Sequence, residues 1–116
     1  MPPEIAKYFH DALTACRLLE DFTRGRSFTD YQADALLRAA VEREFVTIGE
    51  ALMRAEKAAA GAVQPITALR KIIGFRNVLV HGYAAIHHPT VWGVIENDLP
   101  RPSPGPPPRS RAPRWR

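Results

Sequence analysis

A single cysteine, Cys16, stands in this chain of 116 residues, so no internal disulfide can form. One cysteine leaves the redox setting open beyond a preference for the cytosol. No apolar run approaches the roughly 18 residues that would suggest a membrane span. The start, Met1-Pro2-Pro3-Glu4, lacks the basic and apolar regions of a signal peptide. These absences predict a soluble, cytoplasmic protein with no membrane partner. Strand-like alternation and internal repeats are also missing, which argues against a sheet and against a solenoid. His87 and His88 are adjacent, so they diverge on any regular element, and Cys16 is far away in sequence. No metal site is expected, and no cofactor.

Acidic excess is missing as well, since the whole chain carries a net charge of +4 with a pI near 9.7. That surplus is unevenly placed. Residues 1–99 hold 11 Lys/Arg against 12 Asp/Glu, a net of −1, and the other five arginines, Arg101, Arg109, Arg111, Arg114 and Arg116, fall in residues 100–116. Bulk basicity therefore says little about the folded part. Residues 100–116 also hold seven of the eleven prolines, which prevents a packed helix. The expected organisation is a helical domain over residues 1–99 and a disordered Pro/Arg-rich tail over 100–116. Such a tail is either a solvated appendage or an electrostatic tether for RNA.

What is present is helical periodicity. Ile5, Phe9, Ala12, Leu13, Cys16, Leu19 and Phe22 recur at spacings of three and four, which predicts an amphipathic helix over residues 4–23. Gly25 and Ser27 interrupt it. Thr29 is read as the N-cap of a second, long helix reaching residue 60, with Gly61 as its stop and Leu37, Val41, Phe45, Ile48 and Leu52 as its core stripe. Pro65 suits the first turn of a third helix through Leu69, Ile72 and Ile73, with Gly74 as a place for a kink. Pro89 opens a short last helix carrying Val91, Trp92 and Ile95 and ending before Pro100. The predicted class is all-α, an antiparallel bundle of four to five helices. Cys16 reads as a small core residue and His10 as a surface one.

The chemistry is concentrated in Gly74-Phe75-Arg76-Asn77-Val78-Leu79-Val80-His81-Gly82-Tyr83. Arg76 supplies a permanently charged planar fork suited to phosphate oxygens, His81 can take or give a proton, and Tyr83 offers a hydroxyl. Together these groups can perform phosphodiester chemistry without a metal. On an ideal helix Arg76 and Tyr83 are nearly eclipsed, whereas Arg76 and His81 lie about 140° apart. A bend at Gly74 or Gly82, or a second chain, would be needed to bring the last two together.

This Arg-x4-His-x-Tyr motif resembles that of the HEPN superfamily, and in particular its HepT-like branch. The likeness also rests on Asn77 directly after the arginine, on Gly49-Glu50-Ala51 upstream and on Trp92 downstream, and it spans residues 5–99. HepT-like chains usually continue with helical sequence where this one turns proline-rich. The resemblance implies a metal-independent endoribonuclease toxin of a type VII-like toxin–antitoxin pair. Its cognate antitoxin would be a minimal nucleotidyltransferase that adenylylates Tyr83. It implies a two-fold homodimer with the motifs lining a shared cleft, and RNA as substrate, tRNA or mRNA, with DNA inert. Arg76 and His81 would be catalytic, Asn77 and Glu50 supporting, and Tyr83 both a substrate contact and the modified residue. Gly49 reads alternatively as a close-packing residue, and Trp92 as core or as an RNA-stacking surface. The competing function is a non-catalytic HEPN module that binds a nucleotidyltransferase or a nucleotide through the same Arg76 and Tyr83.

Overall fold

In the computed structural model of the protein, residues 2–64, 66, 68–82 and 85–99 are described. They form five helices and, among the described residues, no strand: α1 (Pro3–Thr23), α2 (Phe28–Ala33), α3 (Ala35–Ala58), α4 (Leu69–His81) and α5 (His88–Asn97). This is the expected all-α class. Among the described residues no helix is long and apolar enough to cross a membrane.

α1 buries Ile5, Phe9, Ala12, Leu13, Cys16 and Leu19 along one stripe, as its periodicity predicts, and Thr23 closes it by donating its hydroxyl to the Leu19 carbonyl at 2.7 Å. Gly25, at φ +73°, turns the chain in a conformation that suits glycine.

The long second helix expected over residues 29–60 is instead two helices, and Ser27 rather than Thr29 begins the first. Ser27 and Asp30 form a reciprocal capping box: the Ser27 hydroxyl accepts from the Asp30 N–H at 3.1 Å, and the Asp30 carboxylate accepts from the Ser27 N–H at 2.9 Å. Those bonds to Ser27 hold the Asp30 carboxyl below its usual pKa. Four residues after Asp30, Asp34 adopts an extended conformation and its carboxylate accepts from the Leu37 N–H at 3.1 Å, capping α3. An aspartate's short side chain offers the backbone this alternative to a continuous helix, and here the alternative wins.

α3 ends at Ala58, two residues before the expected limit. Gly61 does lie in the left-handed region, at φ +85°, inside a turn held by the Glu56 carboxylate, which accepts from the Gly61 N–H at 2.7 Å. α4 starts at Leu69, whereas Pro65, its expected first residue, lies outside the described residues. The helix passes through Gly74 without a break and stops at Gly82, whose φ of +67° and N–H bond to the Val78 carbonyl make a left-handed C-cap. α5 is opened as expected by Pro89 in its first turn.

α3 is the spine of the bundle, packed against α1 on one side and α4 on the other, while α2 bridges α3 and α5. The core holds Phe9, Leu19, Val41, Phe45, Ile48, Leu52, Ile72, Phe75 and Ile95. At its edge sits Tyr31, fully buried, with its ring 5.3 Å from Trp92 and 6.2 Å from Phe28. Its hydroxyl shares a hydrogen bond with His88 Nδ1 at 2.9 Å. Cys16 is buried, as expected, and burial pushes its thiol pKa up.

Burial, with the Glu42 carboxylate adding to it, pushes the Tyr31 phenol up to about 12. An unfolded tyrosine ionises near pH ~10, so above that pH the unfolded chain loses a proton that the folded chain keeps, and stability falls as pH rises from about 10 to 12. Thermal melts across that window should show a steeper loss of Tm for wild type than for Tyr31→Phe. At neutral pH the same variant should cost about 1 kcal/mol for the lost hydrogen bond. Parallel curves at alkaline pH would contradict the buried phenol.

Candidate active site

The motif arginine lies where α4 crosses α3, and a glycine makes the crossing possible. A Cβ at Gly49 would fall 2.5 Å from Arg76 Cβ and 2.9 Å from its Cγ, with the Ile72 carbonyl at 3.5 Å. No side chain fits there while the helices hold this spacing. Gly49 therefore permits the close approach that the sequence reading offered as one of its alternatives.

The approach brings Glu50, the next residue of α3, to the guanidinium: Glu50 Oε1 is 3.7 Å from Arg76 Nη2. On the other side Arg76 Nη1 donates to the Asn77 side-chain carbonyl at 3.1 Å. Arg76 Nε is enclosed and has no hydrogen-bond partner. The side chain as a whole is 19% exposed, so its stem is packed and only its tip is available. An arginine has five N–H donors. One is spent on Asn77, and Glu50 stands too far for a strong hydrogen bond, so the Nη groups retain donor capacity for an oxyanion.

The structure thus brings Arg76, Asn77, Glu50 and Gly49 together. His81 is the last residue of α4, exposed and in the helix's final turn. Five residues separate it from Arg76, about 140° around an ideal helix. α4 by itself does not put the two on one face. Tyr83 lies outside the described residues.

Other expected residues take structural places. Trp92 is buried between Tyr31 and Phe28, which makes it core. His87 caps α5, its Nδ1 accepting from the Thr90 N–H at 3.3 Å, while His88 turns to Tyr31; the two histidines diverge as predicted, and His10 is exposed. Among the described residues no group of three or more His, Cys, Asp or Glu could hold a metal ion.

Two features escaped the sequence reading. The Tyr31–His88 pair joins residues 57 apart, and no local pattern announces it. The other was legible: residues 57–95 contain Lys57, Arg70, Lys71 and Arg76 and no Asp or Glu. The motif therefore sits in a stretch of one charge sign although the domain as a whole is slightly acidic. Counting charge by segment would have found it.

An all-α bundle agrees with what comparison finds. The family model described as Ribonuclease HepT-like matches residues 12–103, and the chain belongs to that ribonuclease family of the HEPN superfamily. A provisionally named RNase of Methanocaldococcus jannaschii is 24% identical over 98 residues, 84% of this chain and 89% of that protein. A second, from Caldanaerobacter subterraneus subsp. tengcongensis, is 28% identical over 93 residues, 80% of this chain and 82% of its own. A protein of Thermococcus cleftensis, provisionally named ribonuclease HepT, is 29% identical over 93 residues, 80% and 84% of the two chains. No solved structure matches the chain.

Gly49→Ala should force α3 and α4 apart at Arg76. Overpacking of this kind costs about 1–3 kcal/mol, whereas alanine in an ordinary helix interior would gain up to about 1 kcal/mol over glycine. Chemical denaturation of Gly49→Ala beside Gly74→Ala, whose Cβ would meet nothing within 4 Å, should give opposite signs. A stabilised Gly49→Ala protein would mean that the helices are not so close.

Proposed function

We propose that this protein is a metal-independent endoribonuclease toxin of a type VII-like toxin–antitoxin pair, with Arg76 and His81 as its catalytic groups. The observation that carries the reading is the Arg76 guanidinium, its stem packed between α3 and α4 and its Nη groups oriented by Asn77 and Glu50. A cation held in this way is prepared for a phosphodiester and pays little reorganisation on binding one.

The reaction is attack of an RNA 2′-hydroxyl on the adjacent phosphorus, with cleavage of the bond to the 5′-oxygen. The products are a 2′,3′-cyclic phosphate and a 5′-hydroxyl. His81 takes the proton from the nucleophile or gives one to the leaving oxygen, and Arg76 neutralises charge growing on the non-bridging oxygens. Asn77 and Glu50 support Arg76. DNA lacks the nucleophile and is inert. The substrates are RNAs of the tRNA or mRNA class.

A two-fold homodimer with opposed α4 segments would let His81 of one chain work beside Arg76 of the other, resolving their 140° separation. Val80, 45% exposed beside His81, gives that face an apolar contact. The cognate partner is a minimal nucleotidyltransferase antitoxin acting on Tyr83. Adenylylation there would put negative phosphate into a site built for a substrate phosphate and repel RNA.

The purified protein, incubated with tRNA or mRNA in the presence of EDTA, should leave cyclic phosphate ends. Arg76→Ala should lower the rate on the order of 10²–10³, and His81→Ala by roughly 10²–10⁴. No cleavage by folded protein whose mass shows no adenylyl group would point to a binding module instead. Incubation with the nucleotidyltransferase and ATP should add AMP mass to wild type and silence it, whereas Tyr83→Phe should gain none.

A further inference from the structure

A groove of about 460 Å³ runs between α1 and α3, and Glu50 lies both in its wall and against Arg76. The groove therefore opens directly beside the motif. Its size falls within the roughly 300–1,000 Å³ typical of ligand sites.

By composition its lining is mixed, with Asp11, Glu44 and Glu50 against Arg43 and Arg54. Pairing changes that balance. Asp11 is already bound to Lys7 at 2.9 Å, and Glu50 faces Arg76. Burial raises the pKa of Glu44, and the Arg43 guanidinium acts against that rise. Arg43 and Arg54 take part in none of the ion pairs found among the described residues, and both are exposed. They lie eleven residues apart on one α3 stripe, with Thr47 and Glu50 between them, about 16 Å along the axis. The groove thus presents two guanidinium groups in line, Arg43 near the Glu44 carboxylate and neither of them in an ion pair among the described residues, with a hydroxyl between them.

We propose that this groove is a subsite for the phosphodiester backbone of single-stranded RNA, in which Arg43 and Arg54 each take a phosphate flanking the one held at Arg76. The assignment rests on the ribonuclease reading above. Non-specific single-strand binding elsewhere uses the same device, a positive groove that tracks the backbone.

The test uses the full chain and a fluorescent 2′-O-methyl oligoribonucleotide, which binds but offers no nucleophile. Each single-strand phosphate contact contributes about 0.7 to the slope of log affinity against log salt, so Arg43→Gln/Arg54→Gln should flatten the slope by about 1.4 and weaken binding on the order of tenfold at about 50 mM salt. The arginines of residues 100–116 contribute equally to both proteins and cancel. Arg24→Gln, a charge change at the α1–α2 turn, should flatten the slope much less than the double variant. Wild-type cleavage of unmodified RNA together with an unchanged slope in the double variant overturns the subsite and leaves the nuclease reading intact. Neither cleavage nor binding by wild type overturns both. A double variant that alters self-association but not RNA affinity makes the face a protein interface and also overturns the subsite.

Discussion

The site depends on how near α4 lies to α3, and that spacing is set at one residue without a side chain. A helix interior loses about 1 kcal/mol by using glycine in place of alanine. At Gly49 the loss is offset because Arg76 Cβ occupies the space a methyl group would need. The arginine's stem is thereby enclosed between two helices and its rotamers are few. A charged side chain on an open surface would give up that freedom only on meeting its ligand; here folding has already removed it.

Enclosure has an electrostatic cost that the neighbours share. A guanidinium at 19% exposure needs partners, and it has a carboxylate at 3.7 Å and an amide carbonyl at 3.1 Å. Neither consumes the fork, so the arrangement compensates the cation without satisfying it. Glu50 is the acidic group at the motif, since none is present across residues 57–95. Net charge hides this, because a domain of net −1 can carry a wholly basic segment. An incoming polyanion responds to the local field more than to the sum.

The rest of the bundle keeps the ends of this site in place. α2 is too short to be stable alone, yet its capping box starts it, Asp34 ends it, and Tyr31 ties it to α5 through Trp92 and His88. α5 follows the segment that leaves the motif at Gly82. The Tyr31–His88 bond therefore anchors the chain on the far side of that segment, while the Gly82 cap anchors the near side.

Periodicity and residue chemistry were determined by the sequence alone. The apolar stripes of α1, α3 and α5, the all-α class and the grouping of Arg76, Asn77 and His81 in one short segment are local properties, read from near neighbours along the chain. Local reading failed where two local tendencies competed. Asp34 lies within a run of good helix formers, and only its bond to the Leu37 N–H decides for a break; Gly82, offered as a bend, is a stop. The tertiary structure alone decided which residues meet between helices. Gly49 against Arg76, Glu50 at the guanidinium, and Tyr31 with His88 join positions 27, 26 and 57 apart. A repeat of 3.6 residues says which face of a helix is apolar. It does not say which residue of another helix will lie against it, because that follows from the packing of side chains that the pattern does not order in space.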